Sequence, residues 1–177
     1  MVDRDENARH SRFGTVLMLA LILKAEESFA GDAAGLAAVA PGIFPNPVVA
    51  EAVRLAAIKL SNPACREVFS DFYDAAGHTL QQNLDLLERS GIGYLQWTLF
   101  YEGYGKSVCD SRKILASTTP GSRVVFVCTP QFAVVQHRDP GLAAVLIIHE
   151  ELHSLGLGEN PPQSRVITAQ VIARCGK

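Results

Sequence analysis

The sequence His149-Glu150-Glu151-Leu152-His153-Ser154-Leu155-Gly156-Leu157-Gly158-Glu159 places two histidines and two glutamates within a single helical turn, with a glycine-broken tail ending in a further glutamate. On a helix, two histidines four residues apart project from one face, so both imidazoles can hold a single metal ion. Glu150, beside the first histidine, is placed to reach a water on that ion. The residues upstream predict the helix. Asp139-Pro140 supplies an N-cap and an N1 proline, and Gly156 suits the left-handed position just past the C-terminus. Between them, Leu142 to Ile148 is apolar on every side, the pattern of a helix buried within the protein. Polar groups at the end of a buried helix need partners, because leaving them unpaired is costly. Metal ligation meets that need, and a solvated helix end carrying the same residues does not.

This is the H-E-x-x-H arrangement of zinc peptidases, with two histidine ligands and a glutamate as general base. Extended, it resembles the metzincin pattern H-E-x-x-H-x-x-G-x-x-H: Gly156 holds the glycine position and Glu159 that of the third histidine. Between Glu159 and Lys177 there is no other Asp, Glu or His, so a downstream third ligand can only be Glu159. A His₂Glu set is a known catalytic zinc site with an open position for water. The segment from Asp139 to Glu159 thus resembles the zincin superfamily, as a metzincin-like variant. It lacks a Met-turn, since the only methionines are Met1 and Met18. The resemblance implies an α+β, zincin-like fold: N-terminal helices, a small antiparallel sheet, the active-site helix and a C-terminal helix. It also implies zinc on His149, His153 and Glu159, Glu150 as base, and hydrolysis of an amide bond in a peptide or protein substrate. Tyr94, Tyr101, Tyr104 and Arg165 are candidates by type for an oxyanion donor, with none assigned. The competing reading is a non-catalytic zinc-binding or interaction domain of the same fold; a base beside the first ligand argues against it.

The rest of the chain fits this frame. A length of 177 residues with 48% hydrophobic and 19% charged residues describes one globular domain, expected over 31–177. A net charge of −2 without a Lys/Arg cluster offers nucleic acid no electrostatic footprint. At residues 1–30, Arg4, Arg9 and Arg12 precede the apolar run Thr15–Leu23, and Ser28-Phe29-Ala30 offers a small-residue cleavage site. This reads as an export signal too short to remain as a membrane span. Cys65, Cys109, Cys128 and Cys175 form no C-x-x-C pair, and in an exported domain they imply two disulfides. Three pairings are open; Cys109 with Cys128 and Cys65 with Cys175 is the expected one.

Asn46-Pro47 and Asn62-Pro63 each predict a helix start, the first with Val49, Val53, Ala56, Ala57 and Leu60 inward, the second with Cys65, Val68, Phe69 and Phe72. A third helix is expected from Thr79 to Arg89, stopped by Gly91. Leu95, Trp97, Leu99 and Tyr101 alternate with Gln96, Thr98 and Phe100 as in a half-buried strand. Ile114–Thr118 and Arg123–Cys128 flank Thr119-Pro120-Gly121-Ser122, a hairpin signal, so a small antiparallel sheet is expected immediately before the histidine helix. Ser164 is expected to cap a final helix with Ile167, Val171 and Cys175 inward.

Overall fold

Both Asn-Pro steps open helices in the computed structural model, which describes residues 46–176. The expected export signal and lead-in lie outside the described residues. Helix α1 (Pro47–Ser61) is capped by the Asn46 side chain, which accepts from Val48 and Val49 N–H, and its five expected core residues are all buried. The second start yields only one turn, α2 (Pro63–Arg66), tightening into a 3₁₀ turn over Glu67–Ser70 that buries Val68 and Phe69. Helix α3 (Leu80–Leu86) opens with a capping box between Thr79 and Gln82 and is shorter than expected. Leu80 and Leu84 are buried, while Leu87 is exposed.

Gly91 does not stop a helix; it starts one. Helix α4 (Gly91–Trp97) is capped by Ser90 and lies where a strand was expected. A Cβ on Gly91 would come within 2.5 Å of the Phe69 ring, so this helix rests on that ring at glycine distance. Only then does the chain extend into β1 (Leu99–Glu102), where Phe100 is buried and Tyr101 faces outward.

The hairpin forms between β2 (Ala116–Thr118) and β3 (Val124–Val127), in the register Ala116↔Val127 and Thr118↔Val125. Its turn places Pro120 and Gly121 centrally, with Gly121 at φ +78° and Ser122 N–H donating to Thr119 C=O, as a type II turn requires. The sheet is not purely antiparallel, however. It is mixed, in the order β1-β3-β2, and β1 pairs with β3 in parallel. The physical reason is the intervening chain: the residues between Glu102 and Ala116 carry it from β1 to the far strand of the hairpin, long enough for a crossover rather than a tight reversal. β3 is therefore central, and β2 is a sheet edge.

A helix unforeseen in the sequence, α5 (Thr129–Arg138), separates the sheet from the histidine helix. Asp139 then caps α6 (Pro140–Ser154) by accepting from Leu142 N–H at 2.9 Å. Nearly all of α6 is buried, packed against α1, α5, β2, β3 and α7 (Ser164–Cys175). Its end is a Schellman motif: Gly156, at φ +111°, donates to His153 C=O, and Leu157 donates to Leu152 C=O. The remaining carbonyls there are satisfied from afar. Gly121 N–H also reaches His153 C=O, and Tyr94 O–H reaches Ser154 C=O.

Helix α7 follows Gln163, so Ser164 is its first residue rather than its cap. Ile167, Val171 and Cys175 are buried as expected. Two disulfides are present, Cys65–Cys175 and Cys109–Cys128, with Cα separations of 4.4 and 5.4 Å, and they are the expected pairs. Arg174 and Gln170 both bind Asp71, which fixes α7 further. Among the described residues no helix is long and apolar enough to cross a membrane.

Candidate metal centre

One helical turn of α6 brings His149 and His153 onto the same face, both buried, with their Nε2 atoms 3.1 Å apart. The Schellman turn at Gly156 reverses the chain, and Glu159 returns from the following loop. One ligating atom from each of His149, His153 and Glu159 lies within 4.8 Å of the others, so the three could hold a metal ion. The donor chemistry fits. Two nitrogens each ~2.0–2.1 Å from one tetrahedral zinc would be about 3.3 Å apart, close to the separation found here. Glu159 differs from the histidines in being exposed, so it forms the solvent side of the group.

Each histidine is held from behind. His153 Nδ1 lies 2.8 Å from Leu157 C=O, whose position is set by the same Schellman turn. His149 Nδ1 lies 3.0 Å from Thr168 Oγ1 on α7. Partners of this kind orient imidazole ligands.

Glu150 lies in the same cavity, and Thr118 Oγ1 of β2 donates to its Oε2 at 2.8 Å. Burial, with the Glu159 charge adding to it, raises its pKa to about 7 against the opposing Thr118 hydrogen bond. Burial and then the neighbouring His153 lower His149 to about 4, so its ring is neutral at pH 7. These directions describe the metal-free site; a bound dication would favour the ionised carboxylates.

The cavity has a volume of about 270 Å³. It is lined by Lys113–Leu115 and the residues of β2, by Leu146 of α6 beside the histidines, and by Ser164 and Thr168 of α7. None of Tyr94, Tyr101, Tyr104 and Arg165 lines it; Tyr94 is buried against Ser154 instead. Lys113 is the cation in its wall. Sequence reasoning passed over Thr118, Thr168 and Lys113. For Thr118 a signal existed, since its place in the hairpin puts it on the sheet face shared with buried Val125. Thr168 falls off the apolar stripe of α7 and carried none.

Glu151 faces away from the cavity. It is fully buried, its two carboxylate oxygens have no hydrogen-bond partner among the described residues, and burial raises its pKa well above the usual range.

Comparison of the chain with models of known protein families, with curated proteins and with solved structures finds no match. The function must be argued from this site alone.

Proposed function

We propose that the protein is a zinc-dependent hydrolase of the zincin type, a metzincin-like variant that cleaves an amide bond in a peptide or protein. The observation that carries this reading is the convergence of His149, His153 and Glu159 beside the Glu150 carboxylate in one open cavity. Zinc would supply Lewis acidity there, bringing the pKa of water towards ~7 and polarising the scissile carbonyl. The chain's own residues do the rest. Glu150 takes the proton of the attacking water and returns it to the leaving amine. Thr118 holds the Glu150 carboxylate in one orientation throughout. Among the described residues no strand pairs with the outer edge of β2, whose residues line the cavity, so an extended peptide would find main-chain hydrogen bonds there.

Both disulfides are compatible with an exported protein, and we place the enzyme outside the cytoplasm. The test is zinc content measured together with cleavage of a peptide library, on wild type and Glu150→Gln. Glu150→Gln leaves all three ligands in place, so zinc content should hold while hydrolysis falls by about 10²-fold or more. Zinc bound with no cleavage by wild type would favour the non-catalytic zinc-binding domain. Unchanged activity in the variant would exclude Glu150 as base.

A further inference from the structure

His149 and His153 each turn one ring nitrogen to the cavity and the other to a fixed partner, but the partners differ in kind. His153 Nδ1 faces the Leu157 carbonyl at 2.8 Å, and a carbonyl only accepts. Nδ1 of His153 therefore carries the hydrogen, and Nε2 of the neutral ring is a lone pair. That lone pair lies 3.1 Å from Nε2 of His149. Two facing lone pairs would repel, so in the metal-free pair Nε2 of His149 carries its hydrogen and donates it to His153. Neutral His149 then presents a lone pair at Nδ1, 3.0 Å from Thr168 Oγ1, and the hydroxyl donates to it.

Metal ligation would require the reverse arrangement. To ligate through Nε2, His149 must carry its hydrogen on Nδ1. The hydrogen leaving Nε2 reappears on Nδ1 of the same ring, so the ring's net protonation is unchanged. A carbonyl or carboxylate at the position of Thr168 would suit only the second tautomer, and an ammonium only the first. A hydroxyl suits both, since it donates one hydrogen and accepts through its lone pairs. Thr168 is also held firmly: Ile167 and Val171 are buried on either side of it in α7, which Cys65–Cys175 and the Asp71–Arg174 pair anchor.

We propose that Thr168 is a positioning residue for the metal centre: its hydroxyl donates to His149 Nδ1 without metal and accepts from Nδ1–H once metal is bound, so no tautomer leaves a buried nitrogen unpaired. The inference rests on the metal reading of His149, His153 and Glu159.

The test is zinc titration of the full chain in competition with a chromophoric chelator, on wild type, Thr168→Val and Thr168→Ser. Valine keeps the shape and removes the hydroxyl, so zinc affinity should fall by about 10–100-fold, the scale for losing such a partner of a ligand. Serine keeps the hydroxyl and should bind zinc as wild type does. Nitrogen-15 imidazole spectra of wild type give an independent readout should the valine variant fail to fold. His149 Nδ1 should lack a hydrogen in chelator-treated protein and carry one with zinc. Wild-type affinity in Thr168→Val, equal loss in both variants, or an Nδ1–H in both metal states would overturn the role of Thr168 and leave the metal reading standing. A wild type that takes up no zinc would overturn both.

Discussion

Glu151 gives the sharpest test of how burial governs this protein. Glu151 is 1% exposed and its carboxylate has no hydrogen-bond partner among the described residues, so burial favours the neutral form in the folded chain. In the unfolded chain it ionises above about 4.3. Between that value and its raised folded pKa, the folded state binds one more proton than the unfolded state. Stability contributed by the group is therefore fully present at low pH and is lost as pH rises, at about 1.4 kcal/mol per pH unit. Glu151→Gln cannot ionise, so the variant should gain on wild type as pH rises above about 4.3, by up to about 1.4 kcal/mol per pH unit. The amide's own buried polar groups lower the variant's stability by a constant that does not alter this slope. Glu150, raised to about 7, loses stability over the same window. His149, lowered to about 4, gains it up to the unfolded histidine value near 6.5, and the two nearly offset. The assay is urea unfolding in chelator at pH 5, 6 and 7, which keeps metal from coupling to the equilibrium. Parallel stability profiles for the two proteins would refute the reasoning, because they would mean that Glu151 is ionised, and hence partnered, in the folded chain.

Glu159→Ala should weaken zinc binding by more than the roughly 10–100-fold typical of losing an outer-shell partner, with activity partly restored by excess zinc in a direct titration. Gly91→Ala drives a methyl into the Phe69 ring and should cost about 1–3 kcal/mol in denaturant unfolding; an unchanged midpoint would mean that α4 can shift. Replacing Cys65 and Cys175 by serine should cost about 2–5 kcal/mol in a thermal or urea melt, because the unfolded chain regains the freedom of a loop with a sequence separation of 110.

What could be read from the sequence is what short-range chemistry decides. Asn46-Pro47, Asn62-Pro63 and Asp139-Pro140 each carry a cap and a helix start within three residues, and all three open helices. The geometry from Asp139 to Gly156 is equally local, as is the turn at Pro120-Gly121. The misreadings are long-range. Leu95 to Tyr101 alternates like a strand, yet Ser90 caps a helix there and Phe69 receives it. Helix α5 went unread because its N-terminal N–H at Thr129 is met by Glu102, 27 residues earlier, and not by a neighbour. The parallel pairing of β1 with β3 is likewise a long-range choice. The same holds in the cavity. His149, Glu150 and His153 announce themselves by spacing, whereas Thr118 and Thr168 arrive from other elements, 32 and 19 residues away in sequence.

The bond between Cys65 and Cys175 has a practical consequence for a protein proposed to cut peptides. The exposed stretch between β1 and β2 lies inside the span it closes, so one cut there, by the protein itself or by another protease, leaves two pieces covalently joined. Nicked and intact molecules would run together on a non-reducing gel and separate only after reduction. Self-cleavage could thus proceed unseen in any preparation judged under oxidising conditions.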